Sequence, residues 1–161
     1  FSDREDIIGI PPDAVWVADV LDELKIPYIG PSAQTMKNLI GKFDTHEILS
    51  ANSVSGPKHI LCPPANTGEI DFFPAFVKPN GESRSVGINE NSVAENREQL
   101  EKQVRYIQDE LQQAALVEEY LPGREYTVLV IGNGPKREIL PGLVTVAKEL
   151  YGKYAEQHQT K

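Results

Sequence analysis

The chain has 161 residues, room for an ordinary domain with a real core, and its 40% hydrophobic and 25% charged residues give the balance of a folded protein rather than a disordered one. A formal net charge of −8 excludes nucleic-acid binding driven by bulk charge, which needs many Lys and Arg, yet leaves room for a small phosphate ligand held by a few lysines and amides. One cysteine, Cys62, excludes an intramolecular disulfide and a Cys-based structural zinc site.

Val15, Val17, Ala18, Val20, Leu21 and Leu24 recur at helical spacing, which predicts a helix over 12–25 with Asp13 as its cap. Ile26-Pro-Tyr-Ile-Gly30 is a short extended piece, and Ser32 sits where an N-cap opens a second helix over 33–51. Leu39, Ile40, Phe43, Ile48 and Leu49 would form its buried face. The span 53–70, with Pro57, Pro63, Pro64, Asn66 and Gly68, reads as connection around one short strand near 59–61. Residues 72–78 read as a buried strand that ends on Lys78 and runs into a small, polar loop through Gly87. A polar helix is predicted over 93–115, with Leu100, Val104, Ile107 and Leu111 spaced by four, three and four. Strands follow at 115–121, 125–131 and 138–146, separated by turns at Pro122-Gly123 and Asn133-Gly134-Pro135. The last fifteen residues or so lose periodicity and read as a loop; no repeat or low-complexity tract is present.

His46, His59 and His158 match no metal-ligand spacing and read as surface residues. No apolar run approaches the roughly 20 residues needed to span a membrane, and no basic, then apolar, leader opens the chain. With a single cysteine, the expected compartment is reducing, the cytoplasm. The chain starts on Phe1 rather than Met, so it is read as a segment.

A lysine at a strand end is ordinarily a solvated charge, and a Gly/Ser-rich loop is ordinarily just a loop. A second feature alters that balance: Val117-Glu-Glu-Tyr-Leu-Pro-Gly-Arg-Glu125 sets three carboxylates around a strand end and a tight turn. Such a hinge offers backbone donors and acceptors to a flat heterocycle, and a carboxylate a few residues on suits ribose hydroxyls. Lysine then loop, with hinge then glutamate, together describe a cleft for ATP.

Val77-Lys-Pro-x-x-x-Ser-x-Ser-Val-Gly87, a helix, and then Leu116-Val-Glu-Glu-Tyr-Leu-Pro-Gly-Arg-Glu-Tyr-Thr-Val128 closely resemble the ATP-grasp superfamily, within it the D-alanine-D-alanine ligase branch. Pro27-Tyr-Ile-Gly30 followed by Lys42, and Tyr151-Gly-Lys-Tyr154, resemble the same branch in the same order. The resemblance implies an α+β fold, an antiparallel-sheet ATP-binding subdomain with flanking helices, incomplete at both ends. It divides the chain into the end of a preceding α/β domain (1–30), a helical connection (31–56), the nucleotide-binding subdomain (57–148) and a mobile loop (149–161) leading into an absent C-terminal half.

The implied activity is ATP-dependent joining of a carboxylate and an amine through an acyl phosphate. Lys42 and Lys78 would contact phosphates as point charges. The loop with Glu82, Ser83 and Ser85 would cover them, its glycines permitting close backbone approach. Glu118, Glu119, Tyr120 and Leu121 would form the adenine hinge and Glu125 the ribose contact. Lys153, Tyr154 and Arg84 would act at the reacting groups, the first two from a loop that excludes water. Arg84 stands where the branch usually carries a serine; arginine donates but cannot accept, so the substrate is left open. Mg²⁺ is implied, with ligands from strands beyond Lys161 and no metal ligand in this chain. The implied partners are ATP and a small carboxylate or amino-acid substrate, with a homodimer open and neither nucleic acid nor membrane. The competing reading is a non-catalytic nucleotide-binding or partner-docking module.

Overall fold

The computed structural model describes residues 15–63, 66, 69–83, 85–132, 134–140 and 143–144. They fall into two compact units, Phe1–Tyr120 and Leu121–Lys161.

The first unit opens with three helices: α1 (Val17–Glu23), α2 (Ala33–Leu39) and α3 (Lys42–Ala51). Trp16, not Asp13, occupies the N-cap of α1; Asp13 lies outside the described residues. The apolar residues that announce α1 are largely uncovered among the described residues, with Val15 77%, Val17 55% and Leu24 61% exposed. Trp16, Ala18 and Ala33 form a small buried cluster there, with Tyr28, Met36 and Ile40 packed against them. Ser32 caps α2 as expected, accepting from Thr35 N at 3.2 Å.

The single helix expected over 33–51 is two. Gly41 is extended, with φ −76° and ψ 114°, and the chain restarts as α3 on Lys42. The break is fixed from a distance: Asn80 O accepts from Lys42 N at 3.1 Å, and Asn80 Oδ1 accepts from Phe43 N at 2.9 Å. A residue from another element thus satisfies two of the donors that a helix start leaves orphaned. Leu39, Ile48 and Leu49 are exposed, so the predicted buried face reduces to the half-buried Ile40 and Phe43.

Four strands follow: β1 (His59–Cys62), β2 (Ala75–Pro79), β3 (Val93–Ala94) and, after helix α4 (Arg97–Glu110), β4 (Ala115–Glu119). They form one antiparallel sheet in the order β1-β4-β2-β3. The polar helix starts four residues later than its spacing predicts, because Asn96 caps it by accepting from Gln99 N at 3.1 Å. Val93 and Ala94 pair instead with Phe76 and Ala75. Leu100, Val104 and Ile107 are fully buried, as the spacing requires, and pack on Ala75, Val77, Ala115 and Val117 of the sheet. Burial of each such aliphatic side chain contributes roughly 1.5–3 kcal/mol.

The second unit holds β5 (Tyr126–Thr127), β6 (Val130–Ile131), a 3₁₀ turn (Gly134–Lys136), β7 (Glu138–Ile139) and β8 (Leu143–Val144). In place of the two long strands expected around Asn133-Gly134-Pro135 there are two short antiparallel pairs, β5 with β8 and β6 with β7, each a two-stranded sheet of its own. Tyr126 opposes Val144 and Val130 opposes Ile139. Residues 141–142 and 145–146 of the third predicted strand lie outside the described residues. No helix among the described residues is long and apolar enough to cross a membrane.

Candidate functional site

Side chains alternate along a strand, so the register of the sheet sorts its residues into two faces. Val77, Val117 and Ile60 lie in line and belong to the core under α4. One residue on, Lys78 opposes Leu116, while Glu118 opposes Phe76 on one side and His59 on the other. Lys78, Phe76, Glu118 and His59 therefore share the face away from α4, and α3 contacts the sheet at β1.

Glu118 is the centre of this face. Its carboxylate is 9% exposed and meets Lys78 Nζ at 2.6 Å through Oε2 and His46 Nε2 at 2.5 Å through Oε1. The Lys78 ammonium also lies 5.8 Å from the Phe76 ring centroid, within cation–π range. Lys42, the first residue of α3, donates from Nζ to Asn80 O at 3.4 Å and to Glu82 O. Burial pushes its ammonium below the ordinary lysine value; the positive charge of Lys78 pushes the same way, against the pull of Glu82 and Glu118. Lys42 and Lys78 thus lie near enough for their like charges to oppose one another.

The loop beyond β2 is tied at its base. Gln113 Oε1 accepts from Gly81 N at 3.0 Å, and Gln113 Nε2 donates to Glu82 Oε1 at 2.8 Å. Ser83 and Ser85 are exposed on two turns, closed by Val86 N to Ser83 O and Ile88 N to Ser85 O. Gly87 has φ +74°, and a Cβ there would stand 2.5 Å from Leu111 Cδ1 and from Pro79 Cγ, so this glycine is required by packing at the loop's end.

Of the residues singled out from sequence, the structure brings Lys42, Lys78, Glu82 and Glu118 together. Glu119 is exposed and Tyr120 half-buried at the end of β4. Their amides donate to Lys58 O at 2.8 Å and Pro74 O at 3.0 Å, so the free backbone donors expected of a hinge are not on these two residues. Leu121 and Glu125 are exposed in the second unit. Arg84, Lys153 and Tyr154 lie outside the described residues.

His46 and His59, read as surface residues, are instead 16% and 17% exposed, with rings stacked at 4.3 Å. His46 falls one helical turn after Lys42, the spacing that puts two side chains on one face of a helix. That was the available signal; Asn80 and Gln113 had none, since their partners are remote in sequence. A groove of about 610 Å³ bordered by His46, Lys58, His59, Asp71 and Phe72 runs beside the cluster and includes neither Lys42 nor Lys78. Among the described residues no group of three or more His, Cys, Asp or Glu could hold a metal ion.

The profile of the family described as "D-ala D-ala ligase C-terminus" matches residues 57–161, more than half of the chain. The D-alanine--D-alanine ligase of Enterococcus hirae is 34% identical over 140 residues, covering 77% of this chain and 37% of that protein. Among solved structures, the D-alanine-D-alanine ligase of Helicobacter pylori superposes with a TM-score of 0.64 at 18% identity, over 80% of this chain and 40% of that one. The Bacillus anthracis D-alanine--D-alanine ligase complexed with ATP gives 0.56 at 20% identity, over 85% of this chain and 51% of that one. The chain thus spans between a third and about half of the length of these proteins. An antiparallel sheet with flanking helices, a fold shared with these ligases and a profile matched across most of the sheet agree: the chain belongs to the D-ala D-ala ligase C-terminus family and has the ATP-grasp fold.

Proposed function

We propose that this chain is the ATP-binding portion of an ATP-dependent carboxylate–amine ligase. The observation that carries the reading is the pair Lys42 and Lys78, delivered from α3 and β2 to one side of the sheet around a buried carboxylate. An ammonium has three donors. Lys42 gives its donors to the carbonyls of Asn80 and Glu82 at the base of the loop, so a phosphate arriving there meets the lysine and the loop together.

In the reaction so assigned, a substrate carboxylate oxygen attacks the γ-phosphorus and ADP departs. An amine then attacks the acyl carbon, loses a proton, and releases phosphate. Lys42 and Lys78 would hold the phosphate oxygens as charge shifts toward ADP. Ser83 and Ser85, exposed on the loop, would cover them, while Glu118 to Leu121 would border the adenine and Glu125 the ribose. Arg84, Lys153 and Tyr154 keep their assigned roles at the reacting groups. Mg²⁺ would neutralise phosphate charge, and its ligands are assigned outside this chain; among the described residues no group of three or more His, Cys, Asp or Glu could hold a metal ion. The substrate pair, the division at 30, 56 and 148, a homodimer and a cytoplasmic setting, supported by the single buried Cys62, belong to the same proposal.

The test is a titration of ATP against the chain and its Lys42→Ala and Lys78→Ala variants. Loss of one charge-assisted contact should weaken binding roughly tenfold to a hundredfold. Equal affinities would overturn the assignment. The chain by itself should release no ADP with a mixture of amino acids; amino-acid-dependent release would move the metal ligands inside it.

A further inference from the structure

We infer that His46 is a positioning residue for the Lys78 ammonium, acting through Glu118. The inference rests on the nucleotide reading above, and its geometry is independent of it. Glu118 presents two oxygens to two donors from different elements: Oε2 to Lys78 on β2, Oε1 to His46 on α3. An ionised carboxylate only accepts, so His46 Nε2 carries the proton and donates.

The terminal torsion of a glutamate is broad and roughly two-fold. With Lys78 as sole partner, the carboxylate could turn and take the ammonium with both oxygens, or swing toward Lys42, which already feels its charge. His46 prevents both. Once Oε1 is held, the rigid carboxylate fixes Oε2, and Lys78 spends one donor on it and keeps two for phosphate oxygens.

The imidazole is itself held in place. It stacks on His59 at 4.3 Å with 21° between planes, and His59 contacts Pro57 O at 3.1 Å, Glu47 Oε1 at 3.4 Å and the edge of Phe43 at 5.5 Å. Lys42 and His46 stand one turn apart on α3. A single helix therefore sets both cations, one directly and one through a carboxylate.

Three variants separate a positioning role from a structural one. His46→Gln keeps an N–H donor near the place of Nε2, His46→Leu fills the space without a donor, and His46→Asn is polar but too short. The side-chain NMR signal of Lys78, assigned with Lys78→Arg, is read in the nucleotide-free protein. It should move in His46→Leu and His46→Asn and stay near its place in His46→Gln. ATP affinity should fall about tenfold with Leu or Asn and less than about threefold with Gln, as expected for one charge-assisted bond. In a Glu118→Gln background, His46→Leu should add no further loss. A Lys78 signal indifferent to His46→Leu and His46→Asn, equal affinity losses in all three variants, or losses that add to that of Glu118→Gln would each overturn the inference. Should the Leu variant not fold, Asn against Gln gives the same decision. If wild type binds no ATP, the nucleotide reading fails while the Lys78 signal still decides the role of His46.

Discussion

Replacing Asn80 with alanine removes the oxygen that accepts from Phe43 N at 2.9 Å and leaves the backbone carbonyl that accepts from Lys42 N at 3.1 Å. One donor in the first turn of α3 then has no partner, the equivalent of losing an N-cap, which costs about 0.5–2 kcal/mol. The bond is part-buried, so water replaces it incompletely and the upper part of that range, about 1–2 kcal/mol, is expected. For a chain of this size that lowers Tm by roughly 2 to 8 °C. Asn80→Asp keeps the acceptor and adds a negative charge at the positive end of α3, so it should stay within about 0.5 kcal/mol of wild type. Urea unfolding of the three proteins, followed by helical circular dichroism, measures both differences. An unchanged midpoint in Asn80→Ala, or an equal loss in Asn80→Asp, would refute the claim that β2's end caps α3.

ATP affinity should decline as pH rises through the lowered pKa of Lys42, below the ordinary lysine value of about 10.4, since only the ammonium holds phosphate. Stability of the free protein should move the other way: between those two values the unfolded chain binds more protons than the folded one, so stability rises with pH. Lys42→Met should remove this contribution to both trends, read from ATP titrations and urea midpoints at stepped pH. Ile107→Ala, in the fully buried seam between α4 and the sheet, should cost about 2–5 kcal/mol in urea unfolding, and a loss under about 1 would place that seam elsewhere. Gly87→Ala meets both a positive φ and two side chains at 2.5 Å; it should destabilise by more than about 1 kcal/mol, while Gly123→Ala, with nothing within 4 Å, should be near neutral by the same assay.

What could be read along the chain and what could not divides by range. Leu100, Val104 and Ile107 announced the buried face of α4 because a helical period is local, and Ala115–Glu119 announced β4 for the same reason. The break before Lys42 was hidden, because the residue that imposes it is Asn80, 38 positions away. Val93 and Ala94 were absorbed into a helix, since a two-residue strand has no period of its own and only pairing with β2 reveals it. Lys42 and Lys78 were legible as a pair through motif order. The carboxylate that joins Lys78 to His46 was legible only as a hinge residue, because its partners come from α3 and β2.

The alternation along β2 has a consequence for how this strand tolerates change. Ala75, Val77 and Pro79 lie buried on the α4 side, while Phe76 and Lys78 look the other way. A saturation scan of these five positions, scored separately for protein abundance and for nucleotide capture, should return two interleaved records. Positions 75, 77 and 79 would fail by disappearing from the cell, and 76 and 78 by remaining plentiful and idle.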